Sequence, residues 1–192
     1  MPAIVAFALC CGERALPICR IGVDDRVFGS FREDLDRSWA IGPELLADGS
    51  NVLVGAGGRI LGELEDADFG SSHNAVFDAI TVLGHAVWCA GESSIDERRT
   101  EAKLSAKGML RLLQGVYSSQ HGMFDGWRDH ESVRRELESQ MRDLRTLLGG
   151  TDASAIMIAR QRAAMEGQLL VDGVVDRNWS TSLPSEDWPT LF

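Results

Sequence analysis

The sequence lacks the marks of several protein classes. It has no apolar run that approaches the roughly 18 residues needed to cross a bilayer. Its apolar start, Met1 to Cys11, has no basic residues before it, and Glu13 and Arg14 break it too early for a signal peptide. There is no CxxC pair among Cys10, Cys11, Cys19 and Cys89, no H-E-x-x-H, and no G-x-S-x-G. No two of His73, His85, His121 and His130 have the i, i+4 spacing of a helical metal site. Basic charge is scarce: 19 Lys and Arg stand against 29 Asp and Glu, a formal net charge of −10. That excludes most nucleic-acid binding, which depends on neutralising phosphates, and favours a basic partner. The chain is expected to be cytoplasmic with reduced thiols, to need no metal or cofactor, and not to associate with membranes. The four cysteines are expected to be small buried hydrophobes.

What is present is an ordinary globular balance over 192 residues, 44% hydrophobic and 25% charged. A chain of this length buries about 70% of its unfolded surface and needs no staple. No repeat, low-complexity stretch or paired alternating strands can be found, and helix follows helix. The first is expected over about Pro2 to Ile21, with Phe7, Cys10, Cys11, Ile18 and Ile21 on one face and Pro17 kinking it or ending its regular part. Helices follow over about Asp25 to Ala40 (Phe28, Phe31, Leu35, Trp39), Asn51 to Leu64, and from the caps Ser71-Ser72 to Trp88 (Val76, Ile80, Leu83, Val87). The capping box Ser94–Glu97 opens another, to Tyr117. From Asp129 to Leu148 the apolar residues Val133, Leu137, Met141, Leu144 and Leu148 form a narrow stripe opposite a charged face. A last helix, capped by Thr151 or Asp152, runs to about Val171. The expected fold is all-α, one domain of six to eight helices over residues 1–177, with an extended C-terminal tail over 178–192.

Three features invite a functional reading. Val52 to Gly58 resembles the strand and turn of a dinucleotide fold, but Ile60 stands where the third glycine belongs and no βαβ unit surrounds it. Close helix packing explains these glycines better. Arg14 lies in the middle of the apolar face of the first helix, so it must be paired in the core or face a ligand pocket. Glu13, Asp36 and Asp78 are the candidate partners, Asp36 first. Charge clusters at Asp24, Asp25, Glu33, Asp34 and Asp36, and at Glu63, Glu65, Asp66 and Asp68, are solvated faces or docking surfaces for a basic protein.

Cys11-Gly12-Glu13-Arg14-Ala15-Leu16-Pro17 has the form C-x-E-R-x-x-P, and Leu35-Asp36-Arg37-Ser38-Trp39 has the form L-D-x-x-W. Asp66 to Phe69, followed by Ala75, Asp78, Ala79 and Leu83, looks like an acidic turn before A-x-x-D-A-x-x-x-L. In this order the three resemble motifs of the YjaG-like family of bacterial proteins of unknown function, across roughly the first 60% of the chain. Cys19 replaces that family's aromatic, and the proline before the acidic turn is absent. The early motif is also similar to that of helical immunity proteins of polymorphic-toxin systems. The resemblance implies an all-helical fold with Cys11, Glu13, Arg14, Pro17, Leu35, Asp36, Trp39 and Asp78 as its structural motif. It also implies a protein partner, a cognate toxin. The acidic net charge suggests that the toxin is met at a basic groove, through the Glu63–Asp68 turn or the Asp129–Leu148 helix; the turn is favoured, because the helix can spend its charges on i, i+4 pairs such as Glu131–Arg135 and Glu138–Arg142. A stand-alone helical protein, as a homodimer, is the alternative; an enzyme or ligand binder built around Arg14 is the third reading.

Overall fold

The computed structural model describes residues 2–41, 50–66, 75–121, 126–150 and 152–175; of residues 41, 65, 66, 118–121 and 172–175 it describes the backbone alone. The described residues are all-α: α1 (Pro2–Cys19), α2 (Asp25–Ile41), α3 (Asn51–Asp66), α4 (Ala75–Gly91), α5 (Ile95–His121), α6 (Glu131–Gly149) and α7 (Ala153–Val175), with a single 3-10 turn, Trp127–Asp129, before α6. The expected tail over 178–192 and the caps Ser71 and Ser72 lie outside the described residues.

Two helices form the centre. Residues Val5 to Leu16 of α1 are buried without a break, and α4 is buried nearly all round. Helices apolar on every side belong inside. The others pack about this pair: α2, α5, α6 and α7 against α1, and α3 and α5 against α4. α1 has the length and hydropathy of a membrane-crossing segment, which corrects the expectation that no run comes near it; 78% of it is buried in the core, and Glu13 and Arg14 are its only charges.

The helix starts follow local chemistry. Asp24 Oδ1 accepts from Val27 N at 2.8 Å, and Asp152 Oδ1 from Ala155 N at 2.8 Å. Ser94 Oγ accepts from Glu97 N at 3.4 Å, the first half of the expected capping box. α1 continues two residues past Pro17 and stops at Cys19, so Ile21 falls outside it and is 45% exposed. α5 continues to His121, beyond the expected end at Tyr117.

The glycines of the dinucleotide-like stretch lie inside α3. A Cβ on Gly57 would stand 2.8 Å from the Trp88 backbone nitrogen, and one on Gly84 would stand 2.6 Å from Leu61. Gly57 and Gly84 let α3 and α4 cross closely, the packing role expected of the stretch, whereas Gly55 and Gly58 meet no neighbouring helix.

The sixth helix overturns its expected orientation. Leu137, Met141 and Leu148 are 43, 49 and 78% exposed, while Glu136, Ser139, Gln140 and Asp143 are buried beside Val133 and Leu147. The helix is turned by roughly a quarter revolution from the direction its apolar stripe indicates. The carboxylates it brings inward explain why.

Candidate functional site

Glu13 and Arg14 are consecutive, oppositely charged and both almost wholly buried on the core helix α1. Successive helical residues point about 100° apart, so each serves a different neighbour. Arg14 faces α6 and α7. Its Nη1 donates to Asp143 Oδ2 at 2.5 Å and to Glu166 Oε2 at 3.3 Å. Glu136 Oε2 lies 3.2 Å from Nε, but that N–H is not directed at it, so the contact is coulombic. Nη2 meets the Cys11 sulfur at 3.7 Å.

Arg14 is therefore buried and ion-paired, but not to the expected carboxylates. Asp36 and Glu13 belong to a second network, and Asp78 is buried on α4, which supplies none of the three carboxylates around Arg14. Helical geometry accounts for the difference: Arg14 projects towards the α6 side of α1, whereas α2 lies on the side of Glu13.

Two further arginines close the first network. Arg162 donates to Asp143 Oδ1 at 2.5 Å, and Arg142 to Glu166 Oε1 at 3.1 Å. Three guanidinium and three carboxylate groups make a formally neutral cluster. The expected surface pair Glu138–Arg142 is thereby replaced; Glu131–Arg135 forms as expected.

The second network joins the two sequence motifs. Glu13 accepts from Arg32 at 3.0 Å and from Arg160 at 2.9 Å, and Arg160 also binds Asp36. The Arg160 guanidinium lies 5.6 Å above the Trp39 ring, a cation–π contact. Leu35 is fully buried against α1, where a Cβ on Gly12 would stand 3.3 Å from it. Thus C-x-E-R-x-x-P and L-D-x-x-W meet through Arg160 on α7. One of two arginines in a helix of low amphipathicity, Arg160 gives no sequence signal for that role.

Burial sets the electrostatics. Burial would lower the Arg14 pKa, but the facing carboxylates, Glu136 foremost, hold it well above the ordinary value. Glu136 titrates above the usual carboxylate range because its burial outweighs the attraction of Arg14 and the hydrogen bond from Gln140. Burial pushes the Cys11 and Cys89 thiols up to about 12 and raises Cys10 and Cys19 well above the usual thiol range. All four cysteines are buried and free.

Above the Arg14 cluster lies a cavity of about 460 Å³ between α5, α6 and α7. Leu113, Val116, Leu169 and Leu170 give it apolar walls, and Glu138 and Arg142 stand among its polar residues. Among the described residues, no group of three or more His, Cys, Asp or Glu is placed to hold a metal ion.

The acidic face is only partly described. Glu63 is exposed on α3. Glu65 and Asp66 belong to the last turn of that helix rather than to a turn beyond it, because α3 runs two residues past its expected end. Asp68 lies outside the described residues. Much of the other acidic cluster is committed: Asp34 binds Arg59 and Arg37, and Asp36 binds Arg160.

Set against family models, curated proteins and solved structures, the chain matches none of them.

Proposed function

We propose that this is a binding protein that acts by contact with another protein, and within that class an immunity protein that neutralises a cognate toxin by occluding it. One observation carries the reading: the charges buried around Glu13 and Arg14 are spent on one another. The Arg14 cluster is formally neutral and ties three helices together, so the −10 excess belongs to the rest of the chain. The buried thiols are held protonated and are poor nucleophiles. Acidic charge displayed on a helical scaffold suits a toxin whose groove is basic. The resemblance of residues 6–39 to the YjaG-like family, and of the early motif Cys11–Pro17 to helical immunity proteins, supports the same class, and a cytoplasmic location would fit it.

The acidic residues Glu63, Glu65, Asp66 and Asp68, the first three of which lie in the last turns of α3, are the proposed contact. Association with the captured partner should be fast at low salt and slow markedly as salt screens the field. Reversal of Glu65 and Asp66 to Lys should lower the association rate more than it raises the dissociation rate. An unchanged association rate in that variant removes this surface from the interface.

The ligand-binding reading has one observation in its favour, the cavity above Arg14. A small molecule that co-purifies in equimolar amount, with no protein partner captured, would favour it over the immunity reading.

A further inference from the structure

The cavity above Arg14 combines an apolar interior with carboxylates that the protein leaves without a donor. Its volume of about 460 Å³ takes roughly ten to fifteen non-hydrogen atoms. The described walls, Leu113, Val116, Leu169 and Leu170, are aliphatic throughout. Most of the charges in its lining are already paired. Arg14 meets Asp143 at 2.5 Å and Glu166 at 3.3 Å, Arg142 meets Glu166, and Arg135 meets Glu131. Two lining carboxylates remain. Glu138 forms no ion pair among the described residues, because Arg142, its expected partner, turns to Glu166. Glu136 accepts from Gln140 through Oε1 alone; its Oε2 lies 3.2 Å from Arg14 Nε, whose N–H is not directed at it. Ser139 lies one turn from Glu136 on the same side of α6. It is 7% exposed, lines the cavity and bonds no described residue. In folded proteins the polar atoms of buried residues almost always have a partner.

We infer that this cavity binds an aliphatic primary amine, with the ammonium group at Glu136 Oε2 and Ser139 and the alkyl chain between α5 and α7. Charge selects a cation. Arg14, Arg135 and Arg142 leave the four lining glutamates one negative charge in excess, and the whole chain carries −10. A carboxylate ligand is therefore repelled at short range and at long range. Hydrogen bonding selects a primary ammonium, which has three donors and no acceptor and so suits oxygens that lack donors. A quaternary ammonium donates nothing and is held by aromatic faces, whereas the described walls here are aliphatic. Burial raises the Glu136 pKa, as it does for a carboxylate short of compensating positive charge. The inference rests on the ligand-binding reading of this cavity and not on a toxin.

Titration of the full chain with n-hexylammonium, n-hexanol and n-hexanoate at one ionic strength, followed by the NMR signals of its Leu and Val methyl groups, tests the inference. Hexylammonium should shift the methyls of Leu113, Val116, Leu169 and Leu170 and bind roughly tenfold or more tightly than hexanol, with hexanoate the weakest. The double variant Glu136→Gln/Glu138→Gln should bring hexylammonium to within about twofold of hexanol while hexanol binding stays as it was. A general loosening of the cavity would weaken both compounds alike. If the double variant fails to fold, Glu138→Gln alone, at an exposed position, should still reduce the preference. Hexanol or hexanoate binding as tightly as the amine overturns the inference and leaves the cavity to a neutral or anionic ligand. A preference that survives removal of both carboxylates overturns it too. Cavity methyls that no compound moves, or amine shifts confined to residues elsewhere, overturn the ligand-binding reading with it.

Discussion

Arg14 and Asp143 are 129 residues apart in sequence and 2.5 Å apart in the core, where neither side chain meets solvent. Asp143 also receives Arg162, so one carboxylate joins α6 to both α1 and α7. Removing it takes from the buried Arg14 its shortest ion pair and from the partly exposed Arg162 its carboxylate. Asp143→Ala should therefore destabilise by about 3–5 kcal/mol, and Arg14→Ala by a similar amount. Because the two share one interaction, the double variant should cost clearly less than the sum. Urea unfolding of the three variants provides the check; strict additivity would mean that Arg14 and Asp143 do not stabilise each other.

Glu136 gives stability a pH dependence of known sign. Its folded-state pKa is raised above the ordinary carboxylate value, chiefly by burial. The folded state therefore holds this proton more tightly than the unfolded chain does. The contribution is fully present below the ordinary carboxylate pKa and is lost as pH rises through the folded value. Glu136→Gln keeps the shape without the charge. The variant should gain on the wild type at neutral pH, and the gain should shrink as the medium is acidified towards the ordinary glutamate range. A variant less stable than wild type at neutral pH would show that the attraction of Arg14 outweighs the burial cost.

Glycines in similar helices should respond in opposite directions. Gly167→Ala places a methyl 2.9 Å from the Arg14 backbone, which cannot move aside as a side chain could. It should cost about 1–3 kcal/mol. Gly29 in α2 has nothing within 4 Å of a built Cβ, so Gly29→Ala should stabilise by about 1 kcal/mol through helix propensity. Thermal unfolding monitored by helical circular dichroism distinguishes them, and a neutral Gly167→Ala would mean that α7 is not seated against α1.

The cysteines should be silent until the protein unfolds. With the Cys11 and Cys89 thiols pushed up to about 12, roughly one in ten thousand is ionised at pH 8. A thiol reagent at that pH should find almost none in the native protein and all four after denaturation without reductant. Rapid labelling of the native protein would show that α1 opens readily.

Much of the fold could be read from local pattern. The apolar spacing of Val76, Ile80, Leu83 and Val87 places one face of α4 in the core, and all four are buried. Phe31, Leu35 and Trp39 do the same for α2. The anomaly at Arg14 was legible too, since a charge in the middle of an apolar face must be compensated. Its partners were not legible: Glu136, Asp143 and Glu166 look in sequence like the solvated faces of charged helices.

The sequence by itself determined the helices and the burial of Arg14, because each follows from spacing along one segment. Only the tertiary structure decided which way α6 turns. Its apolar stripe favoured one rotation, but the uncompensated charge of Arg14 favoured another. Burying an unpaired guanidinium costs several kcal/mol, more than half-exposing Leu137 and Met141, each of which retains part of its roughly 1.5–3 kcal/mol of burial. That comparison involves residues more than a hundred positions apart, and a periodicity confined to one helix cannot contain it.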